Sequence, residues 1–265
     1  MDFFNKSEQS ILLNANNIVV GFSGGADSTL ALAATKQFLE KYGKKSDLTA
    51  LHVNHQTQND SVNWQEHSES FCKKHNINFL SKTVDIKERG QGYEAAARSA
   101  RLEIFNSLDQ GSAIILGHHL DDQVETVFFR VLRGTGLKGL SGMRRHVNIN
   151  GRDFIRPLLH VTKEEIYKYV NDQKLTHIED QSNDDNAYSR NFLRNEIIPQ
   201  IVERWPGAKK NTARMANLLA KQSSLYHGLL LERLKNVCDE DGLLLDELRN
   251  LDYFERSEII RIWLD

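Results

Sequence analysis

One stretch constrains the fold more than any other: Asn17-Ile18-Val19-Val20-Gly21-Phe22-Ser23-Gly24-Gly25-Ala26-Asp27-Ser28-Thr29-Leu30. It opens with a short apolar run between Asn and Gly, the signature of a buried strand. It continues through a glycine-rich turn into Leu30-Ala31-Leu32-Ala33-Ala34, which favours helix. Such a turn aims several backbone N–H groups at one point, with a helix N-terminus behind them, and phosphate is the usual occupant of that cradle. The stretch lacks the Lys and the spacing of a Walker loop, and it is not G-x-G-x-x-G. A plain turn at a helix cap would also contain Gly, Ser and Asp; the strand before and the helix after weigh against that reading.

Apolar runs alternate with helical patterns through the first half of the chain. Further strands are expected at 48–53, 77–84 and 113–117, with helices at 27–41, 61–75, 93–108 and 124–132 and a short one at 7–13. Lys44-Lys45-Ser46-Asp47 and the interval 85–92 read as breaks. This order argues for βαβ units and an α/β, doubly wound parallel sheet. Ligands bind such sheets beyond the carboxyl ends of the strands. Every unusual cluster here follows a strand: Ser23 to Ser28, His52 to His55, and His118 to Asp122. Beyond Leu132 the chain changes character. Gly134, Gly136, Gly139 and Gly142 suggest a flexible crossing, and Thr162-x-x-Glu165 is a capping box ahead of a helix. A polar loop is expected at 180–187 and a helix from Tyr188 that stops at Pro199. Trp205-Pro206-Gly207 reads as a hinge, followed by a long amphipathic helix with Met215, Leu218, Leu219, Leu225, Leu229 and Leu230. The expected division is a domain of 1–204 and a smaller helical domain of 205–265.

The 265 residues suffice for a substantial core, and 40% hydrophobic with 26% charged residues is ordinary globular composition. No apolar run reaches the ~18 residues of a membrane span. Cys72 and Cys238 stand far apart, so neither a disulfide scaffold nor a cysteine metal site is expected, which fits a reducing cytoplasm. The net charge of −2 hides an asymmetry. Between Thr126 and His160 lie Arg130, Arg133, Lys138, Arg144, Arg145, Arg152 and Arg156 against Asp153 alone, so this segment is +6 and the remainder −8. A basic segment on an acidic protein is a candidate footprint for a phosphate backbone, or simply a solvated surface.

Gly117-His118-His119-Leu120-Asp121-Asp122-Gln123-Val124-Glu125-Thr126 is the second informative stretch. Asp122 and Glu125 are three apart on one helix face, near an N-terminus that favours carboxylates. They suit either Mg²⁺, which takes a few carboxylates together with substrate phosphates, or the ammonium of an amine substrate. Acidic capping with incidental histidines would need fewer ionisable groups.

Ser23 to Ser28 resembles the SGGxDS signature of the PP-loop ATP pyrophosphatases. The second stretch resembles the HHxDDQxET motif of one subfamily, the tRNA(Ile)-lysidine synthetases, and matches it at His118, His119, Asp121, Asp122, Gln123, Glu125 and Thr126. Arg130 to Met143, Glu94 to Arg101, Glu179 to Asn183 and Tyr188 to Arg194 with Pro199 look like that family's other motifs, so the resemblance spans roughly 17–200. There are departures. His52-Val53-Asn54-His55-Gln56-Thr57-Gln58 replaces the usual H-V-D-H-G-L-R, and Leu102 stands where the family usually has Tyr. Many members also continue into a further C-terminal domain.

The resemblance implies an ATP-dependent ligase. ATP adenylates the C2 carbonyl oxygen of the wobble cytidine in a CAU anticodon of tRNA(Ile), and the amine of free L-lysine then displaces AMP at that carbon. It implies that Ser23, Gly24, Gly25, Ala26, Asp27 and Ser28 cradle the nucleotide; His52 and His55 are weaker candidates for adenine contact, since a satisfied histidine at a strand end explains them equally well. Arg98 and Arg190 would meet the pyrophosphate, although arginines within helices are more often solvated or paired. Asp27 and Asp122 would neighbour Mg²⁺, Asp122 and Glu125 would bind and orient the lysine amine, and His118 would position the activated base or shuttle the proton. Asp121, Arg130, Arg133 and Arg194 are assigned to substrate binding, and Trp205, Tyr188 and Phe192 could stack on unpaired bases. A homodimer stays open as an additional partnership. Competing readings are another PP-loop enzyme, such as a tRNA thiolase or small-metabolite synthetase, and a passive adenylate-binding module. The first lacks its cysteine pair here, and the second gains nothing from Asp121, Asp122 and Glu125.

Overall fold

A computed structural model describes residues 2–44, 48–54, 61–84, 93–179 and 189–264. The loops expected at 85–92 and 180–187, together with His55, Gln56 to Gln58 and Tyr188, lie outside these residues. Helix α1 (Lys6–Asn14) begins at a capping box in which Asn5 and Glu8 each satisfy the other's backbone N–H. It leads into β1 (Ile18–Gly21), α2 (Ala26–Lys41), β2 (Leu48–Asn54), α3 (Ser61–Lys74), β3 (Asn78–Thr83), α4 (Tyr93–Asn106), β4 (Ala113–Ile115) and α5 (Leu120–Leu132). The expected elements of this half are present with ends displaced by a few residues. The largest displacement matters: α5 starts at Leu120, not Val124, so Asp121 and Asp122 occupy its first turn.

After α5 come a short α6 (Leu137–Leu140), β5 (His146–Ile149), β6 (Arg152–Ile155) and α7 (Lys163–Asp172). The β5–β6 hairpin stands where the sequence suggested only a basic crossing. The sheet order is β3-β2-β1-β4-β6-β5, parallel except for the antiparallel edge strand β5. Because β2 and β3 lie on one side of β1 and β4 on the other, the winding direction reverses between β1 and β4. That gap is the switch point where a doubly wound sheet opens a crevice.

Side chains along the strands divide by the two-residue period. Ile18, Val20, Ala113 and Ile115 face a core shared with α1, α2, α3 and α7. Val19, Leu51, Ile114 and Phe154 face the other side, under Phe105 of α4. Burying each of the Ile, Val, Leu and Phe side chains contributes about 1.5–3 kcal/mol, which makes β1 and β4 a firm base for the loops that follow them.

The chain then forms α8 (Ser189–Phe192), one π-helical turn at Leu193–Ile197 and α9 (Ile198–Arg204). Pro199 does not stop this segment as expected. It falls in the first turn of α9, where a missing N–H leaves no bond unmade, and the widened turn before it absorbs the join. Helix α10 (Ala208–Leu234) follows, then a two-residue β7 (Cys238–Asp239) paired with β8 (Gly242–Leu243), α11 (Leu245–Arg249) and α12 (Tyr253–Leu264). The first part of α10 packs on α5 and α6. Its far end joins a separate small core of Leu230, Val237, Leu248, Leu251 and Ile259. The apolar stripe expected along α10 is mostly not core: Met215, Leu218, Leu225 and Leu229 are exposed, and only Ala216 and Leu230 are buried. No helix among the described residues is long and apolar enough to cross a membrane.

Candidate functional site

The loop after β1 is folded by its own hydroxyls. Ser28 Oγ donates to the Gly25 carbonyl at 3.0 Å and accepts the Ser23 N–H at 3.2 Å, with Ser23 Oγ also 3.2 Å away. Gly24 adopts φ +87, which a side chain would strain, and its N–H and carbonyl are turned so that the carbonyl accepts the Ile178 N–H at 2.9 Å. Helix α2 then starts at Gly25 with no side-chain cap, so its first-turn N–H groups lack intrahelical acceptors and point into the crevice as an anion cradle.

The loop after β4 approaches that helix start at backbone contact. A Cβ on Gly117 would lie 3.0 Å from the Asp27 carbonyl carbon and oxygen and from the Ser28 nitrogen. This closeness brings the two clusters together. His119 Nε2 lies 3.6 Å from Asp27 Oδ2 and 3.5 Å from Asp122 Oδ2, and His119 Nδ1 lies 3.6 Å from Asp121 Oδ2. Asp122 is itself fixed by the His119 N–H, which donates to Oδ2 at 3.0 Å. Burial works against a charged His119, but three surrounding carboxylates outweigh it and raise its pKa. Burial also raises Asp27, with His119 opposing. Asp27 Oδ1 is buried with no partner.

That orphaned oxygen bears on the metal question. Among the described residues no group of three or more His, Cys, Asp or Glu could hold a metal ion by itself. Two carboxylates sharing one histidine, one with a free buried oxygen, suit a hard cation that brings phosphates and water with it. The residues fit Mg²⁺ in that limited sense.

Two cavities open on either side of α5. One, of about 370 Å³, has Asp121, Glu125, Glu164, Arg194 and Lys209 in its wall. Here the carboxylates of α5 are matched. The Arg194 guanidinium grips Glu125 through Nε at 2.6 Å and Nη2 at 2.9 Å, and its Nη2 is 3.6 Å from Asp122. Burial still raises Glu125 despite that partner. The other cavity, of about 390 Å³, is lined by Arg98, Arg130, Arg133 and Arg190 with His118, Asp122 and Phe129. Arg133 and Arg190 stand 5.3 and 5.9 Å from the Phe129 ring centre. Burial, together with Arg156, Arg98 and Arg101, pushes His118 down to about 4 in spite of Asp122, so at neutral pH it is an uncharged imidazole.

Ser23 to Ser28, Asp27, His118, Asp121, Asp122, Glu125, Arg98, Arg130, Arg133, Arg190 and Arg194 therefore surround one crevice and its two side cavities. His52 is buried, with Nδ1 3.0 Å from the carbonyl of Phe22, the residue before the cradle, a contact within the fold. Arg130 is also engaged internally, donating to the Gly139 and Gly142 carbonyls at 2.9 Å each. The +6 segment is no uniform footprint. Arg145 binds Glu8 and the Phe3 carbonyl, Arg152 the Leu108 and Asn150 carbonyls, and Arg156 the Arg144 carbonyl. Sequence reasoning missed Lys209, whose Nζ is 2.5 Å from Asp121, and Gln123, which exchanges two bonds with the Met143 backbone. Gln123 sits inside the acidic motif, whose charge marks its neighbours and not the amide; Lys209 carries no local signal. Cys72 is buried and its thiol is pushed up to about 11 by burial and Glu69, which leaves it inert at neutral pH.

A glycine loop opening a helix at the switch point of a parallel sheet defines an α/β nucleotide-binding protein. The model of the PP-loop domain matches residues 2–201, and the chain belongs to that family. It is 35% identical over 249 residues to a tRNA(Ile)-lysidine synthase of Legionella pneumophila (strain Lens), covering 93% of this chain and 57% of the relative. It is 39% identical over 249 residues to the enzyme of that name from Enterobacter sp. (strain 638), covering 93% and 58%, and 33% identical over 251 residues to that of Francisella tularensis subsp. tularensis (strain WY96-3418), covering 94% and 62%. The chain thus spans somewhat over half the length of these curated relatives. Among solved structures it is similar to the U34-tRNA thiolase NcsA from Methanococcus maripaludis with its [4Fe-4S] cluster, at TM-score 0.63 and 19% identity over 80% of this chain and 74% of that one. That likeness concerns the fold.

Proposed function

We propose that the chain carries the catalytic part of an ATP-dependent ligase. It adenylates the C2 carbonyl oxygen of the wobble cytidine in tRNA(Ile) with a CAU anticodon, then joins free L-lysine at that carbon, releasing AMP and pyrophosphate. One observation carries the reading: the N-terminus of α2 and the acidic first turn of α5 meet across the switch point, with His119 within 3.6 Å of both Asp27 and Asp122. The similarity to lysidine synthases over nearly the whole chain supports it.

The cradle from Ser23 to Ser28 holds the nucleotide phosphates, and negative charge growing on the leaving pyrophosphate is met by groups already in place, Arg98 and Arg190 among them. Asp27 and Asp122 would hold Mg²⁺, which when bound supplies further charge on the phosphate oxygens. In the second half-reaction lysine, with a solution pKa of about 10.4, must lose a proton before it attacks. Asp122 is the carboxylate that receives the ammonium, while Glu125 acts mainly by holding Arg194 beside it. His118, kept neutral by burial, accepts a hydrogen bond from the attacking amine and so orients it. Arg133 and its neighbours position the RNA backbone, and residues 205–265, with Trp205 63% exposed, form a helical tRNA-contacting region in which Trp205 and Phe192 offer faces to unpaired bases.

The test is incubation of the chain with ATP, Mg²⁺, radiolabelled lysine and tRNA bearing a CAU anticodon. Label should enter that tRNA and no tRNA with a different anticodon, with one pyrophosphate released per lysine joined. Nucleotide binding with no pyrophosphate release on any tRNA would instead make this a passive adenylate-binding module.

A further inference from the structure

Lys209 belongs to no motif. It is the second residue of α10, yet it meets two other helices. Its ammonium is 2.5 Å from Asp121 Oδ1 in the first turn of α5 and 3.2 Å from Glu164 Oε1 in the first turn of α7. The side chains of Lys209 and Asp121 are only 22% and 14% exposed, so this is not a solvated surface pair of negligible effect. Both oxygens of Asp121 are occupied: Oδ1 by Lys209, Oδ2 by the Lys163 N–H at 2.9 Å and by the edge of His119 at 3.6 Å.

The other edge of the His119 ring faces Asp27 and Asp122. None of the three carboxylates is within ordinary hydrogen-bond length of the ring, and Nδ1 is buried without a hydrogen-bond partner. The ring is therefore held by a balance of charges and sterics, and its place depends on where each carboxylate sits. Asp121 is the one carboxylate of the three whose place is set by a residue of the C-terminal helical region.

We propose that Lys209 is a positioning residue: by fixing Asp121 it sets the His119 ring between Asp27 and Asp122, and so couples the seating of α10 to the alignment of the acidic centre. The helix is 27 residues, about 40 Å, long, so whatever binds along it bears on a lever whose near end grips α5. The catalytic consequence rests on the ligase reading above; the positional one does not.

The experiment uses the full chain with Lys209→Met, Lys209→Arg and, as a control for nearby positive charge, Lys210→Met, an exposed neighbour one residue on. Two readouts are taken. The first is the ¹⁵N imidazole spectrum of His119 without substrates, assigned by His119→Gln. The second is the separation of kcat from the tRNA KM in lysine joining. Lys209→Met should move the His119 resonances and lower kcat about tenfold, as loss of a residue that orients a working group typically does, with the tRNA KM little changed. Lys209→Arg should restore both, and Lys210→Met should do neither. His119 resonances unmoved by Lys209→Met, or a raised tRNA KM with kcat intact, would overturn the proposal and leave Lys209 as a phosphate contact or a plain tether. If wild type joins no lysine while the resonances still move and return with Arg, the positioning stands and the ligase reading falls. Should the Met variant fold poorly by circular dichroism, Lys209→Gln provides the same two readouts.

Discussion

Helix α5 presents two faces that handle charge in opposite ways. On the face toward α7, α9 and α10, both carboxylates of α5 have a counterion supplied by the fold: Asp121 has Lys209 and Glu125 has Arg194. Burial alone would raise Asp121, but His119, Lys209 and the Lys163 N–H hold it well below the usual carboxylate range. On the face toward α4 and α8, four arginines share a cavity with Asp122 as the one acidic lining residue among the described residues. Burial lowers Arg130, and Arg98 and Arg190 lower it further. The first face is complete in the folded chain, so a ligand there must exchange with existing partners. The second is electrostatically incomplete, and an arriving polyanion relieves it. One helix thus separates a self-neutralised support from a receptive surface.

The sharpest way to break that contrast is Arg194→Met. Glu125, with its side chain 3% exposed, would keep a buried carboxylate without its partner, and the loss should be about 3 kcal/mol in urea unfolding. Glu125→Gln in the same background should recover most of it, because the uncompensated charge is gone. A single-variant loss below about 1 kcal/mol would mean that the support face is not self-neutralised in the sense argued here. Somewhat smaller in stability is Gly117→Ala. Its new Cβ meets backbone atoms of Asp27 and Ser28 that cannot yield without moving the start of α2, at about 1–3 kcal/mol. Nucleotide binding, read by fluorescence of a labelled analogue, should fall along with it, since the same shift parts the cradle from His119.

A third test uses pH on the receptive face. His118 is lowered from 6.5 to about 4, so between those values the unfolded chain binds more protons than the folded one. The sign follows: stability is intact above about pH 6.5 and falls as pH drops through the window toward 4. The His118→Gln variant lacks that linkage, and the difference between the two profiles should reach on the order of 2 kcal/mol at the acid end. Parallel profiles would show that burial, with the arginines beside it, does not hold His118 below its ordinary value, and that this face is wetter and less concentrated in charge than its geometry implies.

The receptive and supporting faces were unequally visible in the sequence. Strand, glycine turn and helix around Ser23 to Ser28 were legible because each signal is local: a buried apolar run, two glycines, helix formers. Asp121 to Glu125 were legible as a group because ionisable residues so dense at a strand end have no packing explanation. Their counterions were not, since Lys209 lies 88 positions beyond Asp121 and nothing near it marks its target. The β5–β6 hairpin was hidden for a different reason. Its strands are short and half-buried, and Arg145, Arg152 and Arg156 disguise them as a nucleic-acid-binding run while binding Glu8 and backbone carbonyls. Charge counts along a chain do not say which guanidiniums the fold has already engaged.

That point yields the last and smallest effect. Arg133 is exposed and rests over Phe129, whereas Arg152, in the same basic segment, donates to the Leu108 and Asn150 carbonyls. Replacing either with Gln removes one positive charge from the chain. If RNA meets the cavity beside α5, Arg133→Gln should lower the slope of log affinity against log salt by about one and weaken binding severalfold, without changing sequence preference. Stability should stay within about 0.5 kcal/mol, as for a surface change that leaves no buried group unpaired. Arg152→Gln should leave the slope where it was and act on the hairpin instead. Equal slopes for the two variants would mean that RNA senses the bulk charge of the segment, and the two faces of α5 would then differ in structure without differing in what they attract.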